Sequence, residues 1–143
     1  GEALFGAEGA AITQHICQAT ISPELIPTGT SSTPAHSTEA SIGPYLLHDF
    51  FLYHAIGQRL SPKEVFNLAK QAFFGSYTAH EILRWMRIFY SRFFSQQFKR
   101  SASTDGPQIV GLSLSPRGGW MMPSDASAAL WLEEIQALEK SVE

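Results

Sequence analysis

Apolar residues recur at the spacing of amphipathic helices in four parts of the chain. These parts are residues 45–57, 62–74, 79–97 and 124–139. Side chains three or four positions apart share one face of a helix, and such a face is normally buried. The positions expected to form these faces are Leu46, Leu47, Phe50, Phe51 and His54; Val65, Phe66, Ala69 and Phe73; Ile82, Leu83, Trp85, Met86, Phe89, Tyr90 and Phe93; and Ala128, Trp131, Ile135 and Leu138. The pattern predicts a mainly helical chain, with residues 108–112 as its one candidate strand.

Local signals mark where these helices begin. The sequences SPKE (61–64) and TAHE (78–81) each combine a hydroxyl side chain with a glutamate three positions later. That combination is a capping box, which satisfies the free N–H groups at a helix start. Pro44 is expected at the first position of the 45–57 helix, because proline is favoured there. Ser124 is expected to cap the last helix.

Stretches rich in proline, glycine and small polar residues separate these helices. Residues 20–43 hold three prolines among many Ser and Thr residues and are predicted to form a long mobile loop, a type of segment that is often functional. Residues 101–123 are predicted to be irregular. Residues 2–19 are predicted to form a helix weakened by Gly6 and Gly9, since glycine is a poor helix former.

Composition narrows the class of protein. The chain has 143 residues, of which 44% are hydrophobic and ten are Phe, as expected for one globular domain with a real core. There is no apolar run of eighteen residues and no signal-peptide pattern, so a soluble cytoplasmic protein without membrane contact is expected. Cys17 is the only cysteine, which excludes an internal disulfide.

Charge is unevenly distributed along the chain. Residues 1–58 contain no Lys or Arg, whereas five cations and no acid lie between Arg84 and Arg100. One interpretation is that the second half of the chain holds an anionic ligand. The other is that Arg84, Arg87 and Arg92 line a solvated helix face. The sequence pI of about 5.9 and the lack of a known DNA- or RNA-binding motif indicate no nucleic-acid partner.

Common catalytic and metal-binding motifs are missing. His48 and His54 are six positions apart and therefore lie on different helix faces, unlike a zinc-binding pair at i and i+4. The HE pair at 80–81 lacks the second histidine of an HExxH site. No phosphate-binding glycine loop and no G-x-S-x-G element occurs. No catalytic residue and no metal ligand is predicted within the chain.

One set of motifs points to a known family. The strongest are FFSQQFKRSA (93–102), GP (106–107), LSPRG (114–118), Trp120 and PSDASA (123–128), supported by ISPELIPTG (21–29) and EASIGPYLLHDFFLY (39–53). Together they resemble the carboxyl-terminal end of glutamine-dependent NAD synthetases, over roughly residues 20–135. In that family an ATP-dependent domain activates the carboxylate of deamido-NAD, and ammonia from glutamine then attacks the adenylate.

The resemblance implies a fold, cofactors and partners. The family's synthetase domain is a Rossmann-like α/β fold of the adenine nucleotide α-hydrolase type, and this chain would be its helical carboxyl-terminal flank over residues 1–143. The family's SGGxDS pyrophosphate loop and its glutaminase domain are absent from these residues, so the isolated chain is expected to be inactive. The implied parent is a carbon–nitrogen ligase that uses ATP and Mg²⁺ and forms a homo-oligomer. The implied partners are deamido-NAD, ATP and the rest of the synthetase and glutaminase chain.

The resemblance also assigns roles to individual residues. Lys99 would contact deamido-NAD; its alternative role is to offset the dipole at a helix C-terminus. Ser22 would contact ATP and Glu39 would order the loop, although a turn-forming serine and a solvated acid are the alternatives. Arg117 and Trp120 would face the neighbouring domain, although Arg117 also suits an exposed turn.

Two further points bear on these assignments. Gly119 stands where the family pattern usually has aspartate, which puts charge-based coupling between domains in doubt. The rival hypothesis for the whole chain is a non-catalytic helical module for interaction or for a subunit interface, in which the apolar long helix docks on a partner.

Overall fold

The computed structural model describes the backbone of residues 2–19 and 38–142, with side chains from residue 6 onward. Every regular element in these two ranges is helical, which confirms the mainly helical prediction. The elements are α1 (Glu2–Gln18), α2 (Thr38–Ile42), α3 (Tyr45–Phe51), a π-helix (Leu52–Gly57), α4 (Pro62–Ala72), α5 (Ala79–Ser95), α6 (Gln97–Ser101) and α7 (Ala129–Val142). The candidate strand at 108–112 was wrong, because those residues are irregular and mostly exposed.

The chain divides into two compact units, Gly1–Ser41 and Ile42–Glu143. In the first unit, α1 is broken at Gly6, whose φ of 67° lies in the left-handed region that favours glycine. Its described side chains are exposed or half-buried, and Cys17 is free and exposed. Residues 38–42, which belong to the predicted 20–43 loop, form the short helix α2. Residues 20–37 lie outside the described ranges.

The second unit contains the hydrophobic core. Helices α3, α4, α5 and α7 pack together around side chains that are almost fully buried. The core residues are Leu47, Phe51, Ala55, Ile56, Val65, Phe66, Ala69, Ile82, Leu83, Met86, Phe89, Tyr90, Phe93, Phe94 and Ile135. Most of the predicted apolar faces are therefore confirmed. Leu46 is an exception, since 62% of it is exposed; α3 turns Leu47 and Phe51 inward instead.

Tight backbone packing fixes the start of α3. The backbone of Gly43 has a φ of 102° and lies so close to Trp85 that a Cβ atom there would be 2.5 Å from the indole ring. Nε2 of His48 lies 2.5 Å from the Ile42 carbonyl oxygen. Pro44 is the N-cap residue and not the first helical residue as predicted. The chain can therefore pass over the Trp85 ring only where residue 43 lacks a side chain.

The predicted helix over 45–57 is present, but its second half is a π-helix. The Gln58 N–H donates to the Tyr53 carbonyl at 2.9 Å, five residues back, the bonding pattern of a π-helix. Arg59, two residues after the π-helix, has a φ of 59° and is the one non-glycine residue with positive φ among the described residues. Left-handed backbone at a bulky residue is uncommon.

Both predicted capping boxes are confirmed. Ser61 Oγ accepts from the Glu64 N–H at 3.4 Å, and the Glu64 carboxylate accepts from the Ser61 N–H at 2.8 Å; Thr78 and Glu81 form the same pair of bonds at 3.2 and 2.8 Å. Hydrogen bonds from the cap backbone, and then from the hydroxyls, lower the pKa of both carboxyls. This stabilisation is present above the ordinary carboxyl pKa and is lost as the pH falls through the lowered values.

Two helix boundaries differ from the prediction. The helix over 79–97 breaks at Gln96, where φ is −98° and ψ is 12°, and resumes as α6. The last helix begins at Ala129 and not at Ser124. Residues 123–126 form a turn, with the Ala126 N–H donating to the Pro123 carbonyl at 3.2 Å, and Ser127 Oγ accepts from the Ala129 N–H at 3.2 Å.

Candidate functional site

The helix break at Gln96 sets up the candidate ligand-binding surface. The break ends α5, so that α6 is a separate short helix with its own buried and exposed residues. In α6 Gln97 is fully buried, whereas Phe98 and Lys99 are exposed. The second half of the FFSQQFKRSA motif is therefore a short helix in which one buried residue is followed by an exposed pair.

Lys99 and Phe98 form the exposed pair. The Lys99 ammonium lies 5.9 Å from the centroid of the Phe98 ring, which is 54% exposed. Within residues 2–19 and 38–142, Lys99 makes no ion pair. A mobile cation beside an open aromatic face is suited to a ligand that combines negative charge with a flat ring.

The adjacent cation, Arg100, turns inward. Its guanidinium carbon lies 4.4 Å from the centroid of the Phe93 ring. Its Nε donates to Gln97 Oε1 at 2.8 Å, and its Nη2 donates to the Phe93 carbonyl. Burial lowers the pKa of this guanidinium. Of the adjacent pair at 99–100, Lys99 is exposed and Arg100 is half-buried.

The three arginines of α5 have different surroundings. Arg87 pairs with Glu139 of α7, with Nε donating to Oε1 at 3.0 Å, and this bond raises the pKa of the guanidinium. Arg84 is exposed and lies over the Trp85 ring at 4.6 Å. Arg92 is exposed. The predicted solvated face is confirmed for Arg84 and Arg92. Arg87 is also partly exposed, but it pairs with a residue that lies 52 positions away in the sequence.

The irregular segment after α6 is held by contacts within the chain. Arg117 pairs with Asp105 at 3.1 Å and donates to the Ser103 carbonyl at 3.1 Å. The Trp120 ring packs edge-on against Phe93 at 5.6 Å, and its Nε1 is buried with no hydrogen-bond partner among the described residues. Arg117 thus ties together two parts of the same segment, and contact of Arg117 and Trp120 with another domain stays a prediction.

Close packing leaves no room for a side chain at Gly119. A Cβ atom at this position would lie 2.4 Å from the Ser113 carbonyl oxygen. An aspartate here, as in the family pattern, would require the backbone of the turn to move.

An open cleft of about 670 Å³ adjoins this turn. It lies between the end of the π-helix and the loop that leads to Trp120. Asp49, Tyr53, Arg59 and Trp120 are among its lining residues. The sequence pattern did not predict this cleft, because neither a π-helix nor the left-handed conformation of Arg59 has a local sequence signal.

The remaining predicted site residues lie elsewhere. Ser22 is outside the described residues. Glu39 lies on α2 and is exposed. Histidine, cysteine and acidic side chains form no group of three that would suit a metal ion in the described ranges. None of the helices described has both the length and the apolar character needed to span a membrane.

Comparison with known proteins identifies relatives over nearly the whole chain. Glutamine-dependent NAD(+) synthetases of Mycobacterium tuberculosis and Mycobacterium bovis are 38% identical to it over 149 aligned residues, which cover 92% of this chain. The Mycobacterium leprae synthetase is 38% identical over 143 residues and 87% of the chain. No protein-family model matches the chain. The predicted resemblance to glutamine-dependent NAD synthetases is confirmed, and the chain spans only about 22% of the length of these relatives.

Proposed function

We propose that the chain is the helical carboxyl-terminal part of the synthetase domain of a glutamine-dependent NAD synthetase. The parent would be a cytoplasmic carbon–nitrogen ligase with a Rossmann-like α/β domain and a homo-oligomeric assembly. Similarity to such synthetases over 92% of the chain supports this. The exposed Lys99 and Phe98 lie within the motif that first indicated the family.

The reaction proposed for the parent has two steps. An oxygen of the deamido-NAD carboxylate attacks the α-phosphorus of Mg²⁺-bound ATP and releases pyrophosphate. Ammonia, derived from glutamine, then attacks the acyl carbon of the adenylate and displaces AMP, which leaves the amide of NAD. This chain would bind and orient deamido-NAD, with Ser22 contacting ATP and Glu39 ordering the loop.

The solvent-facing ammonium of Lys99 carries this proposal. Arg100 and Arg87 both donate to acceptors within the chain, whereas Lys99 is presented without an ion-pair partner in the described ranges. A lysine ammonium binds a carboxylate or phosphate oxygen as a point charge. We assign Lys99 to such an oxygen of deamido-NAD, with the Phe98 ring beside it.

We expect Lys99→Ala in the complete synthetase to weaken capture of deamido-NAD. A charge-assisted hydrogen bond contributes roughly 1.5–3 kcal/mol, so kcat/KM for deamido-NAD should fall about ten- to a hundredfold. The KM for ATP and the hydrolysis of glutamine should stay near normal. Steady-state kinetics with each substrate varied in turn give the result.

Lys140→Ala is the matched control for this substitution. Lys140 is also an exposed lysine in the last turn of a helix, α7, so its loss removes a comparable favourable interaction with the helix dipole. Its kinetics should remain normal. Unchanged deamido-NAD kinetics in Lys99→Ala, or an equal loss in both variants, would exclude Lys99 as a substrate ligand.

The rival proposal is a helical interaction module. Its predicted docking element, the apolar long helix, was wrong, because the apolar face of α5 is buried in the core of this chain; one other observation favours the module. Phe74, in the turn between α4 and α5, is 91% exposed, and a large exposed ring is typical of an interface anchor. Such a contact is compatible with a subunit interface of the parent synthetase. Normal deamido-NAD kinetics in Lys99→Ala would favour this rival.

A further inference from the structure

The short helix that carries Lys99 cannot set its own direction. Helix α6 has five residues, Gln97–Ser101, and follows a break in the backbone at Gln96. A helix of this length is not stable by itself, because nucleation is costly and few hydrogen bonds are gained. The direction in which Lys99 points must therefore be fixed by contacts that other α6 residues make.

Only two residues of α6 are placed to make such contacts. Phe98, Lys99 and Ser101 are exposed, whereas Gln97 is fully buried and Arg100 is half-buried. Gln97 is the one buried polar residue in the second unit as far as the structure describes it. A buried amide is costly unless it is hydrogen-bonded, and when it is, it favours one arrangement of its surroundings.

Both polar atoms of the Gln97 amide form hydrogen bonds. Its Nε2 donates to the Met122 carbonyl at 2.8 Å, and its Oε1 accepts from Arg100 Nε at 2.8 Å. Arg100 in turn donates to the Phe93 carbonyl and covers the Phe93 ring. We call this set, Gln97, Arg100, Phe93 and Met122, the α6 anchor. It joins α6 to the end of α5 and to the segment after Trp120.

We propose that Gln97 and Arg100 are positioning residues that fix Lys99 for deamido-NAD, an inference that rests on the proposed function. The two residues flank Lys99 in the sequence and hold the helix from its buried side. Neither needs to touch the substrate, because the Gln97 amide is buried and the Arg100 guanidinium is engaged with Gln97 and Phe93. Arg117, through Asp105 and the Ser103 carbonyl, supports the segment that leaves the same helix.

The test is a double-mutant cycle in the complete synthetase. Gln97→Met retains most of the side-chain volume and removes both hydrogen bonds. We expect it to raise the KM for deamido-NAD about three- to tenfold, on the order of the net contribution of one hydrogen bond, with the KM for ATP unchanged. In a Lys99→Ala background the same substitution should change the KM less than about twofold, because coupled residues are not additive.

A control separates positioning from general loss of stability. Val65→Ala removes buried volume in α4 and should lower the unfolding midpoint without changing the KM for deamido-NAD. If Gln97→Met fails to fold, Arg100→Lys takes its place in the test. Lysine retains the charge but cannot donate to Gln97 and Phe93 with the geometry of the guanidinium. The same KM pattern is expected.

The outcomes are distinct. A normal KM for deamido-NAD in both positioning variants overturns the inference. So does a fold-change in KM that is as large in the Lys99→Ala background as in the wild type. If Lys99→Ala itself has a normal KM, the proposed function of Lys99 fails and the positioning role fails with it. A selective rise in KM that vanishes without Lys99 supports both.

Discussion

Gly43→Ala is expected to destabilise the helical unit by about 2–5 kcal/mol, the sum of backbone strain of about 1–2 kcal/mol and overpacking of about 1–3 kcal/mol. The φ of 102° is unfavourable for any residue with a Cβ atom, and that atom would lie 2.5 Å from two atoms of the Trp85 ring. Trp85 cannot simply withdraw, because it packs against the core. Urea unfolding followed by far-UV circular dichroism measures the change.

Gly111→Ala is the control for this prediction. A Cβ atom at Gly111 meets nothing within 4 Å, and its φ is not in the left-handed range. The control should unfold near the wild-type midpoint. Equal stability of the Gly43 and Gly111 variants would show that the packing of the chain over Trp85 is not as described.

Phe51→Ala is expected to cost about 3–5 kcal/mol of unfolding free energy, the usual range for deleting a buried phenylalanine ring. Phe51 is fully buried, and its ring lies 5.7 Å from that of Phe89 and 6.4 Å from that of Phe50. The cavity left behind would lie between α3 and α5. The same urea titration measures this change.

Leu46→Ala is the matched control on the same helix. Leu46 is 62% exposed, so its truncation should change the free energy of unfolding by no more than about 0.5 kcal/mol. A large loss at Leu46 and a small one at Phe51 would reverse the assigned orientation of α3.

Features that depend on neighbouring residues were predictable from the sequence. The two capping boxes formed as expected because a hydroxyl and a glutamate three positions apart meet through local geometry alone. The buried faces of α4 and α5 also followed from their spacing. Leu46 was misassigned because a stripe of adjacent apolar positions does not say which of them meets the rest of the core.

Features that depend on distant residues were not predictable. Lys99 and Arg100 are both cations at a helix end. Arg100 turns inward to the Gln97 amide, which is itself held by the Met122 carbonyl 25 positions away. The ion pairs of Arg87 and Arg117 likewise depend on residues 52 and 12 positions away. No helix-breaking proline or glycine marks the break at Gln96 in the sequence.

We propose that this chain can serve as a working part of a glutamine-dependent NAD synthetase. The direct test replaces the matched segment of the Mycobacterium tuberculosis relative with this chain and measures NAD formation from deamido-NAD, ATP, Mg²⁺ and ammonia. We expect turnover by the chimera and none by the isolated chain, whose 143 residues contain no SGGxDS loop. A chimera that matches the relative in oligomeric mass and helix content but forms no NAD, or an isolated chain that forms NAD, would contradict the proposed function.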